Sequence, residues 1–224
     1  MALKRQSERR LRKTGERRRA PSDAQLYCNL MTDVRGRMDV LRDVVSKAIA
    51  LPNDLARLEF AALLLRKCLE QVALGSLISN REAYCVAYNK FEREWNARLI
   101  LRDIERVNPP FYPIPVKQSG RPEAGRVHYQ LIEDGFLTRK EFVKVYDKCA
   151  ALLHAPNPYG STPNYEYLAK QIPDWAKRLT RLLDQHVLRL AGAEIGALIH
   201  MREADGQVHH YGLTLDQLPK AVGP

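Results

Sequence analysis

The chain has little of what usually identifies an enzyme from its sequence. It contains no Gly-rich phosphate-binding loop, no H-E-x-x-H zinc motif and no G-x-S-x-G nucleophile elbow. Its four cysteines, Cys28, Cys68, Cys85 and Cys149, are widely separated and include no C-x-x-C pair. We therefore interpret them as free, buried thiols in a reducing compartment, and we expect neither a metal nor a cofactor.

Long apolar runs are also absent. No stretch approaches the roughly 20 apolar residues that span a bilayer, and the N-terminus lacks the apolar core of a signal peptide. We expect a cytoplasmic protein with no membrane partner, although an Arg-rich start is also typical of organellar transit peptides. At 224 residues and 45% hydrophobic content, the chain is long enough to bury one substantial core.

The positive charge of the chain is concentrated at its start. Residues 1–20 contain nine basic and two acidic residues, a net charge of +7 out of a total of +10. The basic residues are Lys4, Arg5, Arg9, Arg10, Arg12, Lys13, Arg17, Arg18 and Arg19. We interpret 1–21 as a disordered basic tail whose nine cations bind nucleic acid and release its counterions. The other interpretation is a solvated leader without a partner.

Apolar periodicity and capping residues predict a mainly α fold. We expect a bundle of about five helices over 22–192, a small C-terminal antiparallel β ribbon at 193–216 packed on it as a hairpin appendage, and a tail at 217–224. The predicted helices run from Ser22 to about Ala50, from about Asp54 to Ser79, from about Glu82 to Val107, from Thr138 to His154 and from Pro173 to about Ala191.

The segments between these helices carry weaker signals. Residues 117–126 are polar, contain Gly and Pro, and are predicted as a loop. Apolar and polar residues alternate over 127–131, which is typical of a short strand that could join the ribbon. The ribbon itself is predicted from two apolar stretches on either side of Asp205-Gly206, which we place at its turn.

The second predicted helix is apolar around most of its circumference, as expected for the centre of a bundle. Arg66 and Glu70 fall in the gap between its two apolar stripes, one turn apart. A solvated helix face would not be flanked by apolar residues on both sides. The two charges therefore form either a buried ion pair or the lining of a cleft.

Two histidines are placed where chemistry could occur. His154 ends a helix and is followed by Pro156 and Pro158, so it lies near the negative end of the helix dipole, which favours the imidazolium. His186 is predicted in the middle of the apolar face of the last long helix. It is either a hydrogen-bonded packing residue or a member of a polar site with Arg66, Glu70, Tyr146 or His154.

A third set of polar residues lies in the predicted ribbon. His200, Arg202 and His209 fall on one of its faces at period-two spacing. Such groups could bind zinc or a phosphate. They could equally decorate the solvent-exposed face of the ribbon, which is the interpretation that we favour.

Two segments resemble a known family. Arg66-Lys-Cys-Leu-Glu70 and Tyr146-Asp-Lys-Cys-Ala-Ala-Leu-Leu-His154 are similar to the Arg-x-x-x-Glu helix and the Tyr-to-Leu-His helix of HEPN-like proteins. The resemblance covers about residues 22–190. It implies a helical bundle that commonly dimerises, and many members are metal-independent ribonucleases of toxin or antiphage systems. Their catalytic signature is an Arg that precedes a His by a few residues. The formal matches here are Arg121–His128, Arg181–His186 and Arg202–His209.

The leading hypothesis from the sequence is a HEPN-like protein that binds or cleaves RNA in a defence or toxin system, with a homodimer or a protein partner as further expectations. The resemblance implies catalytic candidates on the helices; we select His154, His186, Arg66, Glu70 and Tyr146. In such a site a histidine would act as general acid or base for 2′-OH attack, and an arginine would hold the phosphate. The alternative is a non-catalytic protein-interaction module with a structural polar core.

Overall fold

A computed structural model of the chain describes residues 21–88, 94–123, 126–160, 162–191 and 195–214. Within these ranges the fold is mainly α, with six helices and a five-stranded antiparallel sheet towards the C-terminus. The helices are α1 (Asp23–Val45), α2 (Asp54–Ser79), α3 (Arg81–Ala87), α4 (Ala97–Val107), α5 (Arg139–Leu153) and α6 (Tyr165–Leu183). The strands are β1 (Ile114–Glu123), β2 (Arg126–Leu131), β3 (Gln185–Arg189), β4 (Ile195–His200) and β5 (His209–Thr214).

Helix α2 is the centre of the bundle, as its all-round apolar sequence predicts. It packs against α1, α4, α5 and α6. Its start is confirmed at Asn53, whose side chain accepts a 2.8 Å hydrogen bond from the backbone N–H of Ala56. The core around it includes the fully buried side chains Met31, Leu41, Leu65, Leu69, Ile100 and Phe142. In the described part of the chain, no helix has the length and apolar composition needed to cross a membrane.

The long third helix that we predicted from Glu82 to Val107 is wrong, because the structure has two helices, α3 and α4, in that region. The carboxylate of Glu94 accepts hydrogen bonds from the backbone N–H groups of Trp95 and Asn96. The side chain of Asn96 then caps α4 by accepting from the N–H groups of Arg98 and Leu99. Such local side-chain bonds compete with helical ones, so a new helix begins here.

The last helix also differs from its prediction. We predicted a helix that begins at Pro173, but α6 begins at Tyr165 and continues through the proline. Ile172 and Trp175, on either side of the proline, are both buried, and their packing holds the helix together despite one missing N–H donor. The helix then ends at Leu183 instead of continuing to Ala191, and the chain enters strand β3.

The predicted small ribbon is part of a larger sheet with strand order β2-β1-β3-β4-β5. The strand predicted at 127–131 is confirmed as β2, but the predicted loop at 117–126 is wrong because most of it belongs to β1 and β2. Only Ile114 and Pro115 of β1 pair with β3. The rest of β1 extends with β2 as a two-stranded arm, and the polar residues Lys117 and Gln118 are exposed. This polar region forms strands because β1 and β2 pair with each other, and amino-acid composition does not reveal such pairing.

The sheet has two different faces. One face lies against the helices and carries His186, Leu188 and Ile199, which belong to or contact the main core. The other face carries a small second cluster of Val116, Val187 and Leu198. Because side chains alternate between faces along a strand, neighbouring residues of β3 serve the two clusters.

Candidate functional site

Arg66, Glu70 and Tyr146 form a connected polar cluster between α2 and α5, which we call the Arg66 cluster. The Arg66 Nε donates to Glu70 Oε1 at 3.0 Å, and its Nη2 donates to the Tyr146 hydroxyl at 2.9 Å. The Tyr146 hydroxyl lies 3.5 Å from the same Glu70 oxygen. The guanidinium carbon is also 4.3 Å from the centre of the Tyr146 ring, a cation–π contact.

The helices place these side chains for local reasons. Arg66 and Glu70 are four residues apart on α2 and therefore lie on the same face. Tyr146 is held by α5, whose start is fixed by the reciprocal capping box of Thr138 and Glu141. An ion pair between Arg98 and Asp147 links α5 to α4 beside the cluster.

The cluster is largely shielded from solvent. Burial raises the pKa of the Tyr146 hydroxyl, and Arg66 opposes this shift only in part, so the phenol is neutral at physiological pH. Burial also raises the pKa of the nearby Cys149 thiol to about 12, which makes that thiol unreactive as a nucleophile. The side chains of Arg66 and Glu70 are 20% and 22% exposed. The sequence left open whether Arg66 and Glu70 form a buried ion pair or line a cleft. In the structure they form an ion pair that is mostly buried.

This arrangement limits what Arg66 can do chemically. Its Nε and Nη2 groups are already bound within the cluster, and its flat face covers the Tyr146 ring. The charge of Arg66 is balanced by Glu70. An incoming phosphate would have to displace these partners or use the remaining edge of the guanidinium.

His154 lies at the surface beyond the cluster. It is the C-cap of α5, with an extended backbone, rather than a member of the last turn. Its side chain is exposed and makes no hydrogen bond or ion pair with any residue that the structure describes. Its partners in the sequence hypothesis, Arg66 and Tyr146, are bound to each other instead.

The structure corrects the predicted position of His186, which lies on β3 and not on the last helix. The reason is that α6 ends at Leu183 and the chain turns into the sheet. His186 is fully buried, and its ring bonds to the Tyr27 hydroxyl at 2.7 Å and to the Leu183 carbonyl at 2.8 Å. Burial lowers its pKa to about 4. It is therefore a neutral packing histidine bonded on both sides, and none of the other four catalytic candidates hydrogen-bonds to it.

The set of His200, Arg202 and His209 is not brought together as predicted. His200 and His209 are paired across β4 and β5, but Arg202 lies beyond the end of β4 and forms a 2.6 Å ion pair with Asp39 of α1. His200 is also only 7% exposed, so it does not decorate a solvent-exposed face. Its ring bonds to the Tyr129 hydroxyl at 3.0 Å and to the Glu203 carboxylate.

No group of three or more His, Cys, Asp or Glu within the described ranges is placed to hold a metal ion. Of the Arg–His matches to the ribonuclease signature, Arg181 lies on α6 and bonds to Asp134, whereas His186 lies on β3. The nine basic residues between Lys4 and Arg19 lie outside the described residues.

One surface feature was missed by the sequence reasoning. Lys140, Lys144 and Lys148 follow one another at intervals of four on α5, and all three are exposed. We call them the α5 lysine row. No carboxylate in the described part of the chain pairs with any of them, whereas Lys47 and Lys170 elsewhere are paired. The four-residue spacing was visible in the sequence, but only the structure shows which acidic residues are already paired, as Asp147 is with Arg98.

Tyr27, Tyr129 and Glu203 were also missed, although they hold the two buried histidines. The bonds of Tyr27 and Tyr129 join segments that are far apart along the chain, so no local spacing indicates them. Glu203 lies only three residues from His200, so its spacing was visible in the sequence. Searches for similar proteins returned no match among family models, curated proteins or solved structures.

Proposed function

We propose that this chain is a HEPN-like helical bundle that binds RNA through the α5 lysine row, assisted by the basic segment at 1–20. The observation that carries the proposal is the row itself. Lys140, Lys144 and Lys148 lie along about 12 Å of one helix and are free of described carboxylate partners. Unpaired cations in a row suit the phosphate backbone of a nucleic acid, because each can displace a condensed counterion.

The row also lies on the helix that the family resemblance singles out. Helix α5 carries the Tyr146-to-His154 segment, and Tyr146 belongs to the Arg66 cluster. A bound RNA strand along α5 would therefore run towards the exposed His154 at the end of this helix. The high charge of the N-terminal segment supports the same partner, since its net charge is +7.

The geometry supports binding better than cleavage. Arg66 is engaged by Glu70 and Tyr146, and His186 is buried and neutral. Among the five catalytic candidates, only His154 is both exposed and without a described partner. General acid–base catalysis of 2′-OH attack requires a group within hydrogen-bond reach of the ribose, which leaves His154 as the residue for that role.

The test is RNA binding followed by fluorescence anisotropy over a range of salt concentrations. The variant Lys140→Gln/Lys144→Gln/Lys148→Gln should lose about tenfold in affinity and should reduce the slope of log K against log salt by about 2. Its matched control is Lys47→Gln/Arg106→Gln/Lys170→Gln, which removes three exposed cations that are ion-paired. Equal losses in both variants would refute a specific role for the row.

Two further measurements complete the test. Deleting residues 1–20 should flatten the salt dependence further while leaving the melting temperature nearly unchanged. Incubating the protein with RNA in EDTA reports any metal-independent cleavage. Absence of both binding and cleavage at low salt would overturn the proposal.

A second candidate is a protein-interaction module with a structural polar core. The closed bonding of the Arg66 cluster favours it, because Arg66, Glu70 and Tyr146 satisfy one another and leave little for a ligand. Under this alternative, replacing the α5 lysine row would not change RNA binding. Replacing residues of the Arg66 cluster would lower the stability of the protein.

A further inference from the structure

A cleft of about 610 Å³ lies between α1 and α6, away from the Arg66 cluster. We call it the α1/α6 groove. Its walls come from residues 34–46, at the C-terminal end of α1, and from residues 173–184, at the C-terminal end of α6; Met201 and Arg202 close one side. Along α1 this stretch measures about 18 Å. The volume falls within the range of about 300–1,000 Å³ that is usual for small-molecule sites.

The floor of the groove is aliphatic. Its buried part includes Val34, Leu41, Leu183 and Met201, all at most 5% exposed, and Met38 lies half-buried beside them. No aromatic side chain is among the described residues that line it. The groove therefore offers no ring on which a nucleobase could stack, whereas aliphatic and thioether side chains suit an alkyl chain.

The rim of the groove is cationic. Five basic side chains line it against two carboxylates, Asp39 and Asp184. The basic residues are Arg35, Arg42, Lys177, Arg181 and Arg202. Arg42 and Arg181 are also paired with carboxylates outside the lining, Asp43 and Asp134, which leaves a net excess of one positive charge. The cations come from both helices and from the segment after β4, so they lie on several sides of the opening.

Two of these cations are held close together. One oxygen of Asp39 accepts from Arg202 at 2.6 Å and from Arg42 at 3.1 Å. A single carboxylate thus positions two guanidinium groups, and the remaining N–H groups of Arg202 have no partner among the described residues. Lys177 on the α6 wall has no described partner either. Donors from the α6 wall and from the side closed by Arg202 are therefore available to an anionic group at the opening.

From the aliphatic floor and the cationic rim we infer that the α1/α6 groove binds an anionic amphiphile with one unbranched alkyl chain and a carboxylate or phosphate head. The chain would lie on Met38 and the buried floor, and the head would bind between Arg202 and Lys177. This inference goes beyond the proposed RNA binding and uses none of the residues of the α5 lysine row.

The experiment is isothermal titration of the full chain with four dodecyl probes, each below its micelle concentration. The probes are dodecanoate, dodecyl phosphate, dodecanol and dodecyltrimethylammonium. The two anionic probes should bind at least about tenfold more tightly than the alcohol, because only with them are both partners of the hydrogen bond charged. The ammonium probe should bind more weakly than the alcohol. The ratio of the two anionic affinities identifies the preferred head.

Variants locate the site. Lys177→Gln/Arg202→Gln should lower anion affinity about tenfold and leave dodecanol binding unchanged. Its matched control, Arg106→Gln/Lys170→Gln, should bind every probe like the wild type. Ala176→Phe, which fills the groove, should abolish binding of anionic and neutral probes alike; Thr180→Trp on the exposed wall is a second blocking variant if the first fails to fold.

Equal affinities for dodecanoate and dodecanol would overturn the inference, as would unchanged binding by both folded blocking variants. Lys140→Gln/Lys144→Gln/Lys148→Gln should keep full amphiphile binding. A failure of the RNA proposal is therefore distinguishable from a failure of this one.

Discussion

The hydroxyl of Tyr27 donates a 2.7 Å hydrogen bond to Nε2 of His186, and this bond ties the first helix of the bundle to the middle strand of the sheet. The direction of this hydrogen bond follows from the bond that the other ring nitrogen, Nδ1, makes. The Leu183 carbonyl can only accept, so the 2.8 Å bond from Nδ1 places the proton on Nδ1 and leaves Nε2 as the acceptor. The contact joins residues 159 positions apart and is fully buried on the histidine side.

Replacing Tyr27 by Phe should therefore destabilise the protein. The change leaves the ring in place but removes the only described donor to His186 Nε2, and a buried acceptor without a partner costs about 1–3 kcal/mol. Urea denaturation followed by circular dichroism measures the change in the free energy of unfolding. Tyr159→Phe is the control, because Tyr159 is 97% exposed. A Tyr27→Phe protein as stable as the wild type would show that the bond contributes nothing.

His186 should also make the stability depend on pH. Burial lowers its pKa to about 4, whereas the ordinary value of 6.5 applies to the unfolded chain. Between these values the unfolded chain binds more protons, so stability falls as the pH falls from 6.5 towards 4, by up to about 3 kcal/mol from this group.

The measurement is a series of denaturation curves across that pH range for the wild type and for His186→Gln. Other groups titrate in both proteins, so the difference between the two curves reports His186. The difference should be constant above pH 6.5 and should shrink towards pH 4. Parallel curves would contradict the expected titration.

Arg66→Met should destabilise the protein by about 2 kcal/mol, since it leaves Glu70 partly buried without its cation. The cost is below that of a fully buried pair, because about a fifth of each side chain remains exposed. The double variant Arg66→Met/Glu70→Leu should recover part of this loss, as neither charge is then left alone. Arg42→Met, at a 66% exposed arginine, is the control. A double variant that is less stable than the single one would contradict the ion-pair interpretation.

His154→Ala should leave the free energy of unfolding unchanged within about 0.5 kcal/mol, because its side chain is exposed and has no described partner. RNA binding by the α5 lysine row should also be retained. Cleavage of RNA in EDTA is the activity that this variant should lack. A folded His154→Ala protein that cleaves RNA at the wild-type rate would remove His154 from the site.

The parts of the fold that local interactions control were predictable from the sequence. The starts of α2 and α5 follow from caps that bind backbone groups three residues away, at Asn53 and Thr138. The pairing of Arg66 with Glu70 is local for the same reason, since residues four apart on a helix are neighbours. These features need no knowledge of the rest of the chain.

What only the tertiary structure decided are the contacts between distant segments. Apolar periodicity could not show that the chain after Leu183 pairs with β1 and β4, because a short buried strand and a buried helical segment have the same composition. That pairing moved His186 from the bundle into the sheet and gave it Tyr27 as a partner. Likewise, Tyr146 reaches Arg66 across 80 residues, and the α5 lysine row is distinguished only because the two acidic residues of α5, Glu141 and Asp147, are bound to Arg178 and Arg98. The sequence determined which residues are polar or apolar and where the capped helices α2 and α5 begin, whereas packing determined which residues meet.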